Sequence, residues 1–334
     1  MTHATEPDGI EASFPLVAAT PEPDRDASPE GFVVEVEQTT RIHFLDWGGP
    51  SDAAGHTAPS GPEAPGPPAV LLLHGLGQTA WAWTPVARRL RRVARVVAMD
   101  LRGHGLSDSP TDGYDPETLA ADVVAVADGS GLRALDATMP LILAGHGFGA
   151  IVAAWAADVL GTDAAGLVLV DGGWEDLAAT TDMEPDEFLR GLEEPPEVLR
   201  TMEAFLADRR DFDPATWDVD QERAARATVV EAYSKRLTPA TRPHAVAGSV
   251  EAMFAYDPFV ALPSVEAAIV ALQAVDDEER THGRALAEAQ RVLTAAGRRP
   301  MRVARFPDAG HNLMRYRPQD VTAAILTVAG TLRE

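Results

Sequence analysis

Two rhythms of apolar and polar positions alternate along this chain. Phe32-Val33-Val34-Glu35-Val36 and Arg41-Ile42-His43-Phe44-Leu45 mix apolar and polar residues at short spacing, which predicts an antiparallel strand pair. Ala69–Leu73, Arg95–Met99, Leu141–Ala144, Gly166–Val170, Ala268–Leu272 and Met301–Phe306 are mostly aliphatic runs, as in strands buried on both faces. Between them lie segments with helical spacing: about Trp83–Arg91, Pro116–Asp128, an alanine-rich run from Ala150 to Ala157, Glu278–Ala296, and a last one from Pro318. Strands alternating with helices predict βαβ units, so the expected class is α/β, a mostly parallel sheet with helices on both faces.

The rhythm breaks in three places. Residues 1–30 mix Pro, Asp, Glu and Thr with few large apolar residues and are expected to be a disordered, acidic N-terminal arm. Gly48 to Pro68 is rich in Gly, Pro, Ala and Ser and reads as an exposed loop. From Glu175 to about Pro263 short helical stretches are interrupted by Pro195-Pro196, Pro214, Pro239 and Pro243. That predicts a helical cap, 175–263, inserted between two parts of one core, 31–174 and 264–334. Most of the cap's apolar residues are expected to pack within it; Met202, Phe205, Trp217, Met253 and Phe254 point to an apolar ligand.

Composition narrows the function classes. A chain of 334 residues with 46% hydrophobic and 24% charged residues can bury a large core. The net charge of −23 disfavours nucleic acid and anionic lipid as partners. Lys235 is the only lysine, a usage that fits GC-rich coding or a high-salt habitat. The chain has no cysteine, which excludes disulfides, thiolate metal sites and a cysteine nucleophile. No window approaches ~18 consecutive apolar residues and no basic segment precedes an apolar one at the N-terminus, so a cytoplasmic location without a membrane partner is expected.

The most informative stretch joins Leu141-Ile142-Leu143-Ala144 to the alanine-rich helix through Gly145-His146-Gly147-Phe148-Gly149. Three glycines at a strand-to-helix junction indicate a sharp turn with a crowded backbone. With serine in the middle the turn would read G-x-S-x-G, which lifts a nucleophilic hydroxyl above a sheet. Its middle residue is Gly147, which carries no nucleophile.

Three other turns follow strand ends: Leu73-His74-Gly75-Leu76-Gly77, the turn Asp100-Leu101-Arg102-Gly103-His104-Gly105-Leu106-Ser107, and Asp308-Ala309-Gly310-His311. With the glycine turn, and in this order, they resemble the oxyanion loop, the following turn, the nucleophile elbow and the histidine loop of the α/β-hydrolase superfamily, over about residues 31–334. The resemblance implies an α/β-hydrolase fold, esterase- or lactonase-like, with glycine in place of the elbow serine. It also implies acyl-transfer chemistry by a serine, a histidine base and an orienting acid. His311 matches the base. Asp277, just beyond the strand before the base and next to Asp276, is the favoured acid; Asp171, at the end of the strand after the elbow, is the alternative. The backbone amides of Leu76 and Phe148 match the oxyanion donors, and being main-chain groups they are untouched by the glycine. His74 and His146 border that site as candidate binding side chains, although a strand-end imidazole more often bonds nearby backbone, as is also expected of His104. Ser107 belongs to a turn with no base beside it.

These residues leave several readings open. One is a cofactor-free enzyme in which His311 activates water against a small apolar ester, lactone or related carbonyl compound, because a glycine cannot form an acyl-enzyme. The other is a binding protein that keeps the pocket and has lost the chemistry. Gly145-x-Gly147-x-x-Ala150, with Asp171 about 20 residues on, also matches a dinucleotide fingerprint and would imply an NAD-dependent oxidoreductase. It would, however, sit at the third βα turn and leave the histidine loop unexplained. The histidines show no metal-ligand spacing. Gly77 stands where epoxide hydrolases typically carry proline, which favours a serine-type ancestor.

Overall fold

An aliphatic run can be buried on both sides only if helices cover both faces of its sheet, and the chain builds that arrangement. The computed structural model describes residues 16, 19–50, 66–133, 139–181, 183–192, 197–275 and 279–331. In chain order they form strands β1 (Glu30–Glu35), β2 (Arg41–Gly48), β3 (Ala69–Leu73), β4 (Arg95–Met99), β5 (Leu141–His146), β6 (Ala164–Val170), β7 (Val229–Glu231), β8 (Leu237–Pro239), β9 (Ala268–Val275) and β10 (Arg302–Pro307). All but β7 and β8 belong to one sheet with the order β1-β2-β4-β3-β5-β6-β9-β10. From β4 to β10 every neighbouring pair is parallel; β1 and β2 are antiparallel additions at one edge, with Phe32 opposite Phe44. The fold is the expected α/β one.

Alternation along each strand divides the core. Leu71, Leu73, Val97, Met99 and Leu143 face one cluster, while Val70, Leu72, Val96, Ala98 and Ile142 face another. Helix α1 (Thr84–Leu90) covers the second side, whereas α2 (Pro116–Gly129) and α3 (Phe148–Leu160) bury Leu119, Val123, Val126, Ile151 and Val152 on the first. Each fully buried Leu, Ile or Val contributes roughly 1.5–3 kcal/mol, so both faces need apolar residues and the runs lose their period of two.

Between β6 and β9 come α4 (Leu177–Thr180), α5 (Pro185–Gly191), α6 (Met202–Phe212), α7 (Val219–Ala227), α8 (Pro243–Phe254) and α9 (Pro258–Ser264). Asp176, Thr201, Asp218 and Asp257 cap four of them with side-chain oxygens, which explains where they start. The hairpin of β7 and β8 was not expected here, because three-residue strands are too short to show a period. Polar ties hold the segment to the core: Arg88 to Asp220 at 2.6 Å, Arg223 over the Trp81 ring, and Arg315 to Thr216 and Asp213. After β9 come α10 (Glu279–Ala295), α11 (Leu313–Tyr316) and α12 (Pro318–Thr331), the last burying Val321, Ile325 and Val328 beside α1.

Two segments depart from expectation or escape description. Residues 19–29 were expected to be part of a disordered arm, yet Asp24 donates its amide to the Arg88 carbonyl and pairs with Arg91, and Arg88 donates to the Ala27 carbonyl. The cause is local: the basic last turn of α1 offers arginines to an acidic strap. Most of the remaining arm and most of the Gly48–Pro68 loop lie outside the described residues.

The β5–α3 turn is crowded by backbone from both sides. A Cβ on Gly145 would fall 2.1 Å from the Gly149 carbonyl oxygen, and one on Gly149 would fall 2.4 Å from the His74 carbonyl oxygen. Gly149→Ala is therefore expected to cost about 3 kcal/mol or more in urea denaturation. Gly330→Ala, in α12 with nothing within 4 Å of the added methyl, should instead stabilise by about 0.5–1 kcal/mol. Equal effects of the two substitutions would contradict the crowding argument.

Candidate active site

Four strand ends converge at the carboxyl edge of the parallel sheet. Gly147 joins β5 to α3 with φ 53° and ψ −118°, a backbone conformation that side chains rarely adopt. Its amide donates to the Val170 carbonyl at 3.1 Å and its carbonyl accepts from the Ala150 amide at 3.0 Å, so the strained turn is tied at both ends. A Cβ placed there would lie 3.4 Å from His311 Nε2 and no closer than 3.9 Å to any backbone atom of Gly75. The space above Gly147 therefore opens toward the imidazole.

The acid at that imidazole is Asp171, whose Oδ2 lies 2.6 Å from His311 Nδ1. Asp171 follows β6 with φ 48°, its amide bonded to the Leu272 carbonyl and its Oδ1 accepting the Ala274 amide at 2.8 Å. Backbone from β9 thus fixes the carboxylate before the ring reaches it. The next residue, Gly172, comes so close to the elbow that a Cβ would fall 2.9 Å from the Gly147 Cα. Asp171 was the second candidate; Asp277 and Asp276, the favoured position and its neighbour, lie outside the described residues. His311 is exposed, with 62% of its side chain accessible, while Asp171 retains 14%.

Of the oxyanion candidates, Leu76 is half-buried in the turn after β3 and Phe148, the first residue of α3, is fully buried. Among the described residues neither amide has a protein acceptor, as is normal for the first N–H groups of a helix. The two candidate binding histidines need correction. His74 is fully buried with Nδ1 on the Gly75 carbonyl at 2.8 Å and Nε2 accepting the Leu101 amide at 3.0 Å, so no ring nitrogen is left for a substrate. His146 is buried as well, its Nε2 3.1 Å from the His311 carbonyl and its Nδ1 3.2 Å from Gln78 Oε1. A neutral ring donates only one of these two contacts. The His146 ring packs 4.4 Å from that of His311, so its role is support.

Gln78 and Asn312 escaped the sequence reading. Gln78 Oε1 accepts the Gly75 amide at 3.0 Å and its Nε2 donates to Asn312 Oδ1 at 2.6 Å, joining the oxyanion turn to the histidine loop. Their one sequence signal was position: each lies within a few residues of a motif turn. In the remaining turn, Asp100 accepts the Ala80 and Leu106 amides and meets His43 Nδ1 at 2.8 Å. Burial opposes its charge, yet the His43 ring and these amides hold its carboxyl below the usual range. Ser107 Oγ donates to the Asp100 carbonyl and accepts the His43 amide, a turn residue as expected. Asp171, the acid of the dinucleotide fingerprint, is committed to His311 and Ala274. Among the described residues no group of three His, Asp or Glu side chains is placed to hold a metal ion.

A cavity of about 540 Å³ flanks this centre, its wall including Leu76, Gln78, Thr79, Asn312, Phe205 and Trp217. Gly147, Phe148 and His311 do not line it, so it is a chamber beside the reacting position. Phe205 and Trp217 are where an apolar ligand was expected. Met202, Met253 and Phe254 are not on the wall; Phe254 packs edge-on against Phe188 and Met253 against the core.

Comparison with known proteins agrees with this geometry. The family model described as "Alpha/beta hydrolase family" matches residues 70–325. Epoxide hydrolase 4 of Mus musculus is 36% identical over 90 residues, 26% of this chain and 23% of that protein. 2-(Acetamidomethylene)succinate hydrolase of Mesorhizobium japonicum is 36% identical over 83 residues, 25% of this chain and 28% of that one. The matched region thus spans only about a quarter of the length of these relatives. The crystal structure of E-2-(acetamidomethylene)succinate hydrolase superposes with a TM-score of 0.65 at 19% identity, covering 91% of this chain and 100% of that chain.

The buried rings leave a signature in solution. Burial holds His74 and His146 below the ordinary histidine value of 6.5 and pushes His104 down to about 3. Below pH 6.5 the unfolded chain takes up protons that these rings refuse, so stability falls as pH falls from that point toward the folded values. By about pH 5 His104 alone should add ~1.4 kcal/mol per pH unit to the slope of unfolding free energy, with His74 and His146 acting in the same direction. His104→Asn, which keeps a donor for the Arg102 carbonyl, should remove that ~1.4 kcal/mol per pH unit from the slope in urea titrations. An unchanged slope would mean the ring is not buried neutral.

Proposed function

Because the chain belongs to the alpha/beta hydrolase family, we propose that it is a cofactor-free hydrolase in which His311 activates water against a small carbonyl compound. Esters and lactones are the substrate class intended. The observation that carries the reading is the Asp171–His311 pair, bonded at 2.6 Å, with Nε2 aimed at the open space above Gly147. Asp171 accepts the Nδ1 proton, which leaves Nε2 unprotonated as the base and stabilises the imidazolium that forms. A water in the space above Gly147 gives a proton to Nε2 as its oxygen attacks the carbonyl carbon. The amides of Leu76 and Phe148 stabilise the oxyanion of the tetrahedral intermediate. Collapse breaks the bond to the leaving group, and Nε2 returns the proton to it. No bond to the protein forms at any stage, because Gly147 has no side chain to form one.

The relatives support a hydrolase class, and their names, an epoxide hydrolase and a 2-(acetamidomethylene)succinate hydrolase among them, cover more than one substrate type. The missing hydroxyl favours a second reading, a protein that binds a carbonyl ligand without turning it over. The helical segment between β6 and β9 would serve either reading as a cap over the ligand.

Chromogenic esters and lactones separate the two. His311→Ala and Asp171→Asn are each expected to lower hydrolysis about 100-fold, the contribution of a positioned base. Gly147→Ser should raise it by a similar factor and introduce an acyl-enzyme burst, while lowering stability by about 1–3 kcal/mol through its unfavourable backbone. A basal rate indifferent to His311→Ala overturns the mechanism; saturable binding with no product over long incubation selects the second reading.

A further inference from the structure

A carboxamide side chain can turn either its oxygen or its nitrogen to a neighbour, and beside the dyad a backbone group decides which. The Gly75 amide has one acceptor among the described residues, Gln78 Oε1 at 3.0 Å. A backbone N–H only donates, so Gln78 must keep its oxygen toward Gly75 and its nitrogen on the other side. That nitrogen lies 2.6 Å from Asn312 and, because Nε2 also only donates, Asn312 must meet it with Oδ1. The orientation of the Asn312 side chain is therefore set inside the protein. Its oxygen is committed to Gln78, and its Nδ2, with two N–H groups, is left for another partner.

Among the described residues no acceptor meets that nitrogen, and it is not shut away from solvent. Asn312 stands just before α11, where an asparagine often caps, yet its side chain makes no capping bond to that helix. Instead it lines the cavity with Gln78, and it follows the base His311 directly in the chain. A donor that is already oriented gives up little freedom when a ligand arrives. A ligand that covered these N–H groups without offering them an acceptor would leave them unpaired and be penalised for it. We infer that Asn312 is a substrate-binding residue whose Nδ2 donates to a second oxygen of the substrate, so that the chain takes carbonyl compounds carrying a further neutral oxygen function in preference to their all-carbon counterparts. This rests on the reading of the Gly147–His311 centre as the carbonyl site and adds a second oxygen to what it takes.

Ligand-observed NMR titration of the unaltered full chain tests it with hexane-2,5-dione and heptane-2,6-dione against hexan-2-one and heptan-2-one. None of these ketones can be hydrolysed, and the symmetry of the diketones makes it immaterial which carbonyl meets the reacting centre. After correction for its two equivalent ends, at least one diketone is expected to bind about 5-fold tighter than its monoketone, the gain from one hydrogen bond to a pre-set donor. At about pH 7.5 the carboxylate of Asn312→Asp still offers Gln78 Nε2 an oxygen but has no N–H, and the ratio should fall to about 1. Asn312→Leu should do the same, so a fold lost in one variant leaves the other. Each ratio compares two ligands on one protein, and a general loss of packing would weaken both. Equal binding of diketones and monoketones, a preference that survives in Asn312→Asp, or no binding of any of the ketones overturns the proposal. Diketone preference in a protein whose ester hydrolysis is indifferent to His311→Ala overturns the hydrolytic reading alone; His311-dependent turnover without diketone preference overturns this one alone.

Discussion

Backbone crowding at the β5–α3 turn is the constraint on which the rest of the site depends. Gly145, Gly149 and Gly172 each stand where a Cβ would penetrate neighbouring main chain, so strand, helix and the loop after β6 close together to distances that no other residue permits. That closeness brings Asp171 beside the elbow and leaves the Phe148 amide at a helix N-terminus without an internal acceptor. Larger residues at these glycines would push the reacting groups apart before they altered any of the groups themselves. The fourth glycine differs in kind. Gly147 needs its unusual backbone angles for the turn, but nothing there prevents a side chain from fitting, since the nearest atom to an added Cβ is the His311 ring at 3.4 Å. Its bareness is chemical, the others' steric.

Around the turn, polar side chains at the strand ends are bonded to one another, and most of them are buried. His74 links the ends of β3 and β4, His43 and Asp100 link β2 to the β4 turn, and the Gln78–Asn312 contact joins the oxyanion turn to the histidine loop. Each is a hydrogen bond between loops that have no ladder to share, and burial raises the cost of leaving it unmade. The site is therefore preorganised by side-chain bonds between strand ends, while the ring of His311 itself stays exposed.

Electrostatically the chain works in two compartments. Its surface is heavily acidic, its buried imidazoles are held neutral, and its cavity wall carries two arginines. Neutral rings suit a site in which one imidazole must gain a proton during the reaction, because a charged neighbour would oppose that gain.

The core strands along the chain, the helices between them and the four motif turns could be read without coordinates, because apolar runs, glycine clusters and turn residues are local consequences of local chemistry; the order of the strands in the sheet could not. His311 as base and the absent hydroxyl at Gly147 belong to the same class. The acid partner did not: the sequence offers both Asp277 and Asp171, and it is the positive φ of Asp171, the amide of Ala274 and the close approach of Gly172 that bring Asp171 to the ring. Nor did the withdrawal of His74 and His146 into support, the Gln78–Asn312 bridge, or the pair of arginines drawn from α6 and α11 onto one wall. Residue type and spacing report what a side chain can do; which partner it meets is set by contacts between segments far apart in sequence, and those exist only once the sheet has closed.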